Sequence, residues 1–353
     1  MKSLLRLLLK NQHRQNHSKQ AQTEKGMTLV ELLVGAIMAF LILTPMLGFV
    51  VDMLNTDRRE QVKSNTEQDL QAAVDFIAQD LSQAIYIYDN KAINFGTVGT
   101  GATPAIRNQL PNNGDPNRIP ILVFWKRHQI KNSVPYNPTL TTRPNTCVNK
   151  PEDCNDTYVL SLVAYYQFKD NDATWCQPSG GPCPTRIARY EIRDGVRDPS
   201  TLTYYPDAET TTGQRKDKAF NPLFEISKPT LNVTLLPAAL PNSQGAQNPE
   251  VLVNYIDNST VNGPDPPDCK TTLGVTDPPA PAPALTQRDL LTADGSTNSF
   301  YACVDTSKNI ARVTIRGNSL RRLQPKDTNY NADKSAYFPT ATVQVQGLGA
   351  RGK

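Results

Sequence analysis

Glu31 is the one charge in an otherwise apolar run, residues 27–51, MTLVELLVGAIMAFLILTPMLGFVV. A carboxylate inside a spanning helix costs about 2.5–3.5 kcal/mol on insertion scales, which marks a functional position unless the group reaches headgroups or water from the helix start. Six cysteines, Cys147, Cys154, Cys176, Cys183, Cys269 and Cys303, all lie beyond that run. Their even count points to disulfides, and nearest-neighbour pairing (147–154, 176–183, 269–303) is one of several connectivities open to them. Zinc is the rival use, but the two C-x6-C spacings and the lack of nearby histidine do not fit it. Of the three histidines, His13 and His17 precede the apolar run, leaving His128 at the edge of a strand-like stretch. Neither G-x-S-x-G nor H-E-x-x-H occurs. The terminal GLGARGK imitates a phosphate loop but has no helix after it to hold a phosphate, so it reads as a frayed tail. Asp265 and Asp268 lack the spacing of a calcium loop. Arg312, Arg316, Arg321, Arg322 and Lys326 read as a solvated sheet face. These residues call for no catalytic group, no metal and no cofactor.

The elements that would position them follow from charge and periodicity. Residues 1–26 carry six cations and one anion, so the chain's net +4 becomes −1 beyond residue 26. The basic pI therefore belongs to a leader and does not argue for nucleic acid as a partner. Residues 27–51 are long enough to cross a bilayer as a helix, with the basic leader held on the cytoplasmic side. A cleaved secretory signal would need a shorter apolar core and a small-residue site after it, which FLILTPMLGFVVDML does not offer.

Residues 52–90 contain neither Pro nor Gly, and Leu70, Val74, Ile77, Leu81, Ile85 and Tyr88 recur at helical spacing. This predicts an amphipathic continuation, giving one helix of about 60 residues with a face packed on a sheet. From residue 91 the texture turns to β-branched and aromatic runs at 119–125, 158–168, 186–192, 231–236, 251–256, 300–304, 311–317 and 341–346. These predict a mainly antiparallel sheet with long loops, hence an α+β fold with a β-rich head over 91–353. Segment 261–285 holds 7 prolines and reads as an extended surface loop.

The stretch Lys25-Gly26-Met27-Thr28-Leu29-Val30-Glu31-Leu32-Leu33-Val34 resembles the N-terminal signature of type IV pilins and pseudopilins. That resemblance implies a pilin-like fold and a prepilin peptidase cut between Gly26 and Met27. It also implies N-methylation of Met27, although the family usually has Phe there. Glu31 would pair with the amine of Met27 on a neighbouring subunit during assembly. Pro45 with Gly48 would correspond to the helix break common in such helices. The large head is similar to those of the J-type pseudopilins and W-type minor pilins, and the whole is most like the cyanobacterial hormogonium polysaccharide secretion pseudopilins. The implied partners are the peptidase, other pilin or pseudopilin subunits, the inner-membrane assembly platform with its ATPase, membrane lipid and exopolysaccharide. The implied place is the inner membrane, with the head outside the cytoplasm. Two other readings remain at this point: a minor pilin acting in adhesion or DNA uptake, and a signal-anchored extracytoplasmic enzyme.

Overall fold

The structure, a computed structural model, describes residues 28–95, 105–111, 115–137, 142–220, 222, 226, 249–260, 263–293, 295 and 298–349. The chain divides into two compact units, Met1–Arg58 and Arg59–Lys353. Helix α1, Leu29–Ser82, contributes residues to both. It starts at Thr28, whose Oγ1 accepts from Glu31 N at 3.3 Å, so Thr-x-x-Glu forms half of a capping box. The helix passes through Pro45 and Gly48 without interruption, and the break expected there is not seen. A proline removes one amide donor. The donor lost is the one that would reach Leu41 O, while next to it Thr44 Oγ1 donates to Phe40 O at 2.8 Å.

α1 ends at Ser82, short of the expected Asn90. The residues that follow, Ala84–Ile87, form strand β1. The spacing of Ile85 and Tyr88 fits a helix, but Ile-Tyr-Ile-Tyr is β-branched and aromatic, and pairing with the next strand prevails. The first sheet is an antiparallel meander of β1, β2 (Arg118–Pro135), β3 (Cys154–Phe168), β4 (Thr185–Arg193) and β5 (Glu250–Ile256), in that order. After short helices α2 (Cys269–Leu273) and α3 (Gln287–Leu290), a second antiparallel sheet runs β6 (Leu291–Ala293), β7 (Phe300–Asp305), β8 (Ile310–Arg316) and β9 (Thr340–Gln346), with α4 (Ser319–Leu323) before its last strand. The fold of the described residues is α+β. The expected run at 231–236 lies outside them.

Alternation along the strands builds two cores. Leu122, Phe124, Val163, Tyr165 and Ile187 face one way and meet Leu70, Ala73, Val74, Ile77 and Leu81 of α1. The second sheet adds Phe300, Ala302, Val304, Val313 and Ile315 to the same core. Each such Leu, Ile, Val or Phe side chain stabilises by roughly 1.5–3 kcal/mol when fully buried. The other face of the first sheet is aromatic: Tyr88, Trp125, Tyr166, Phe168 and Tyr190. There Trp125 Nε1 donates to Tyr88 Oη at 2.8 Å, meeting the polar need of both rings. Gly317, just after β8, lies so close to α1 that a Cβ would come 2.9 Å from both Leu70 and Thr66.

Three disulfides are present, Cys147–Cys154, Cys176–Cys183 and Cys269–Cys303, with Cα separations of 5.8, 4.8 and 5.3 Å. The third corrects the reading of 261–285 as loop alone. Cys269 opens α2, and with Leu273, Val275, Leu290 and Cys303 it forms a small core. Asp268 caps α2 by accepting from Thr271 N at 3.0 Å, and Gly274 ends it at φ +59°, a left-handed position that suits glycine.

Candidate functional site

The apolar part of α1 is the first candidate. From Thr28 to Gln61 every residue is exposed. Leu29 is 83% exposed and Phe40 and Phe49 are each 71% exposed, so among the described residues this stretch of helix lies open all round. Residues 29–51 would extend about 35 Å, enough for the ~30 Å hydrocarbon core of a bilayer. It is the one helix among the described residues that is long and apolar enough to cross a membrane. An apolar surface of this size is unstable in water and needs lipid or other apolar helices around it. Glu31 sits in the first turn, where free amide groups and the positive end of the helix favour a carboxylate. Among the described residues it has no ion-pair partner. Gly26 and Met27 lie outside the described residues.

The second candidate is a buried ionic cluster that the sequence reading missed. Strand register sets it: Lys126 lies opposite Ser161, and Tyr165 opposite Arg189. The same sheet face carries Glu191 two residues beyond Arg189, and α1 lowers Asp80 onto it. Asp80 Oδ1 is 2.7 Å from Lys126 Nζ, and its Oδ2 accepts from Arg189 Nε and from Tyr165 Oη, both at 2.7 Å. Glu191 accepts from Arg189 Nη2 at 2.8 Å and from Ser161 Oγ at 2.6 Å, with His128 Nδ1 at 3.3 Å. Two carboxylates, Asp80 and Glu191, face one lysine and one arginine. Burial opposes ionisation of Glu191, but its hydrogen bond with His128 and the charges of Arg189 and Lys126 hold its carboxyl well below the usual range. Burial also works against the charge on Arg189, yet its bond to Asp80 raises its pKa. Burial, with the Asp80 charge behind it, pushes the Tyr165 hydroxyl well up.

The last turn of α1 has no basic residue of its own, so the cations of the sheet take the place that favours positive charge at a helix C-terminus. Every member of the cluster is spent on another member. It fixes the end of α1 on the first sheet.

The remaining sequence candidates have structural places. His128 lies within β2 and serves Glu191. The late arginines do not form a solvated face. Arg316 is buried, with Nε 2.9 Å from Asp257 Oδ2. Arg321 is fully buried and donates to the carbonyls of Pro182 and Pro178, both at 2.7 Å, which binds α4 to the Cys176–Cys183 loop. Arg322 pairs with Asp69 of α1. Sequence spacing gives no warning of this, because an arginine beside a strand looks alike whether it faces water or a carbonyl. Asp268 is used as a cap. The GLGARGK stretch is not frayed at its start: a Cβ on Gly347 would meet Ala84 O at 2.4 Å, and one on Gly349 would meet Ile85 O at 1.8 Å. Residues 347–349 therefore run close against β1, which requires glycine there. Residues 350–353 lie outside the described residues. No family model, no curated protein and no solved structure matches this chain.

Proposed function

We propose that this chain is a minor pilin or pseudopilin subunit, held in the inner membrane by residues 27–51 and carried into a type IV pilus or type II secretion-like filament by that same helix. The observation that carries the reading is the apolar stretch of α1, exposed on all sides and opening with a capped Glu31. A plain anchor needs no carboxylate there. A helix that must bundle with copies of itself can use one, because a partly buried carboxylate becomes favourable when an amine meets it. In this reading the peptidase cuts after Gly26, the new amine on Met27 is methylated, and Glu31 of an incoming subunit meets that amine on its neighbour. The assembly platform and its ATPase drive insertion, the β-rich head remains outside the cytoplasm, and the filament supports exopolysaccharide secretion and surface motility. The chemistry is assembly, not catalysis.

N-terminal mass spectrometry of the membrane-extracted protein, with and without the peptidase, tests this. The mature chain is expected to begin at Met27 only when the peptidase is present. A chain that keeps residues 1–26 in both cases, together with full function of Glu31→Gln, would make residues 27–51 a simple signal anchor.

A further inference from the structure

The three disulfides differ in what can reach them. Cys147, Cys154, Cys269 and Cys303 are buried, the most open of them 9% exposed. Cys176 and Cys183 are half-buried, and Gln177, Ser179, Gly180 and Pro182 of the loop that they close are exposed. That loop holds Arg321 of α4, which is fully buried and donates from Nε to Pro182 O and from Nη2 to Pro178 O, both at 2.7 Å. Asp257 pairs with Arg316 and Asp69 with Arg322, but among the described residues no carboxylate pairs with Arg321, and its Nη1 has no partner. Gly181 packs so closely on the chain after α4 that a Cβ would come 1.7 Å from Pro325 O. The ends of the loop are tied to β5 and the residues after it: Asn254 Nδ2 donates to Trp175 O at 2.9 Å and Asn258 Nδ2 to Cys183 O at 2.8 Å.

We propose that the Cys176–Cys183 disulfide is a redox-sensitive latch that holds α4 on α1. A dithiol reductant opens it by thiol–disulfide exchange. One thiolate of the reductant attacks a protein sulfur to give a mixed disulfide, and its second thiolate breaks that bond in turn. The protein's S–S bond becomes two S–H groups, and the reductant's two S–H groups become one S–S bond. Two electrons and two protons thus pass to the protein. Accessible disulfides are the ones open to this exchange. Once the bond is broken, the loop is no longer closed, and Pro178 O and Pro182 O are free to part. A guanidinium cannot shed its proton, so without those carbonyls Arg321 is a buried charge with no partner and moves to water. Arg322, the next residue, pairs with Asp69 of α1 and lies 4.5 Å from the Tyr255 ring. The outward shift of Arg321 therefore takes the α4–α1 contact with it. Asn254 and Asn258 keep the ends of the loop in place, so the change stays local. The inference goes beyond the filament reading and does not depend on it, because every residue involved belongs to the unit Arg59–Lys353.

The test uses the full chain in detergent without denaturant, treated with rising dithiothreitol, then alkylated and mapped by mass spectrometry. Cys176 and Cys183 are expected to be alkylated at concentrations roughly tenfold below those that open the other two disulfides. At that dose, hydrogen exchange over residues 319–324 should rise roughly tenfold, while β3 and β8 keep their protection. The reporting amides are those of Arg321 and Gln324, which donate to Asn318 Oδ1 at 3.1 Å and to Leu320 O at 2.9 Å. Reoxidation with oxidised glutathione should restore the slow exchange. Cys176→Ser combined with Cys183→Ser should exchange like the reduced wild type and show no further response to the same dose. The proposal is overturned if another disulfide opens first, or if Cys176 and Cys183 are alkylated while residues 319–324 keep their exchange. It is overturned equally if β3 and β8 loosen together with α4, since the bond would then be a staple of the whole head.

Discussion

Two stretches of the same helix, residues 29–58 and 59–82, have the same backbone and opposite dependence on the rest of the chain. In the first, no side chain is buried and the apolar residues run around the whole circumference. In the second, Thr66, Leu70, Ala73, Val74, Ile77, Asp80 and Leu81 are buried, and the apolar ones form a stripe at spacings of three and four. The carboxylates differ in the same way. Glu31 has no ion-pair partner among the described residues, whereas Asp80 touches Lys126, Arg189 and Tyr165. The stripe is satisfied inside the chain and so serves folding. The all-round apolar surface and its carboxylate find no such partners among the described residues, which makes this stretch a candidate membrane span.

That contrast is broken most forcefully through the two carboxylates. Asp80→Ala leaves the buried Lys126 and Arg189 with only Glu191 to share and is expected to cost about 3–5 kcal/mol in urea unfolding of the head. Glu31→Ala should leave that unfolding unchanged and, on the proposed function, abolish incorporation into filaments. Equal effects of the two on unfolding would show that Glu31 contributes to folding after all. The apolar residues sharpen the same point. Leu81→Ala should cost about 2–5 kcal/mol through the cavity it leaves, while Leu41→Ala in detergent should move the head's midpoint by less than about 0.5 kcal/mol. Replacing Cys147 and Cys154 together by Ser opens a loop of sequence separation 7 and should cost about 2 kcal/mol, again confined to the head's transition.

The sequence makes the difference between the two stretches legible, because uniform and one-sided hydrophobicity differ in pattern. Strands β2–β5 and β7–β9 are legible for the same kind of reason, through β-branched and aromatic runs between turn residues. β1 is not, since Ile85 and Tyr88 fit helical spacing as well as they fit a strand, and only pairing with β2 decides. β6 has three residues and leaves no pattern. The ionic cluster is hidden for a further reason. Arg189 and Glu191 alternate with apolar neighbours and Lys126 opens a polar run, both usual marks of an exposed strand face, and only the descent of Asp80 from α1 makes that face an interior. Arg321 misleads likewise, because its partners are carbonyls of a loop more than a hundred residues earlier.

The smallest expected effect separates the two carboxylate types by pH. The folded state holds Glu191 below the ordinary carboxylate range against its own burial, through His128, Arg189 and Lys126. The unfolded chain therefore takes up this proton first as the pH falls. Its contribution to stability is complete above the ordinary carboxylate range and is lost as the pH drops through and below that range. Urea unfolding of wild type and Glu191→Gln, run from pH 7 down to about pH 3, should show wild type ahead at neutral pH and the gap closing on acidification. Glu31→Gln should track wild type in the same urea unfolding, since no described residue of the head bonds to Glu31. A Glu191→Gln gap that stays constant across the range would mean that the glutamate acts through its shape and hydrogen bonds and not through its charge. The balance of two anions against two cations would then be incidental to how the sheet holds the end of α1.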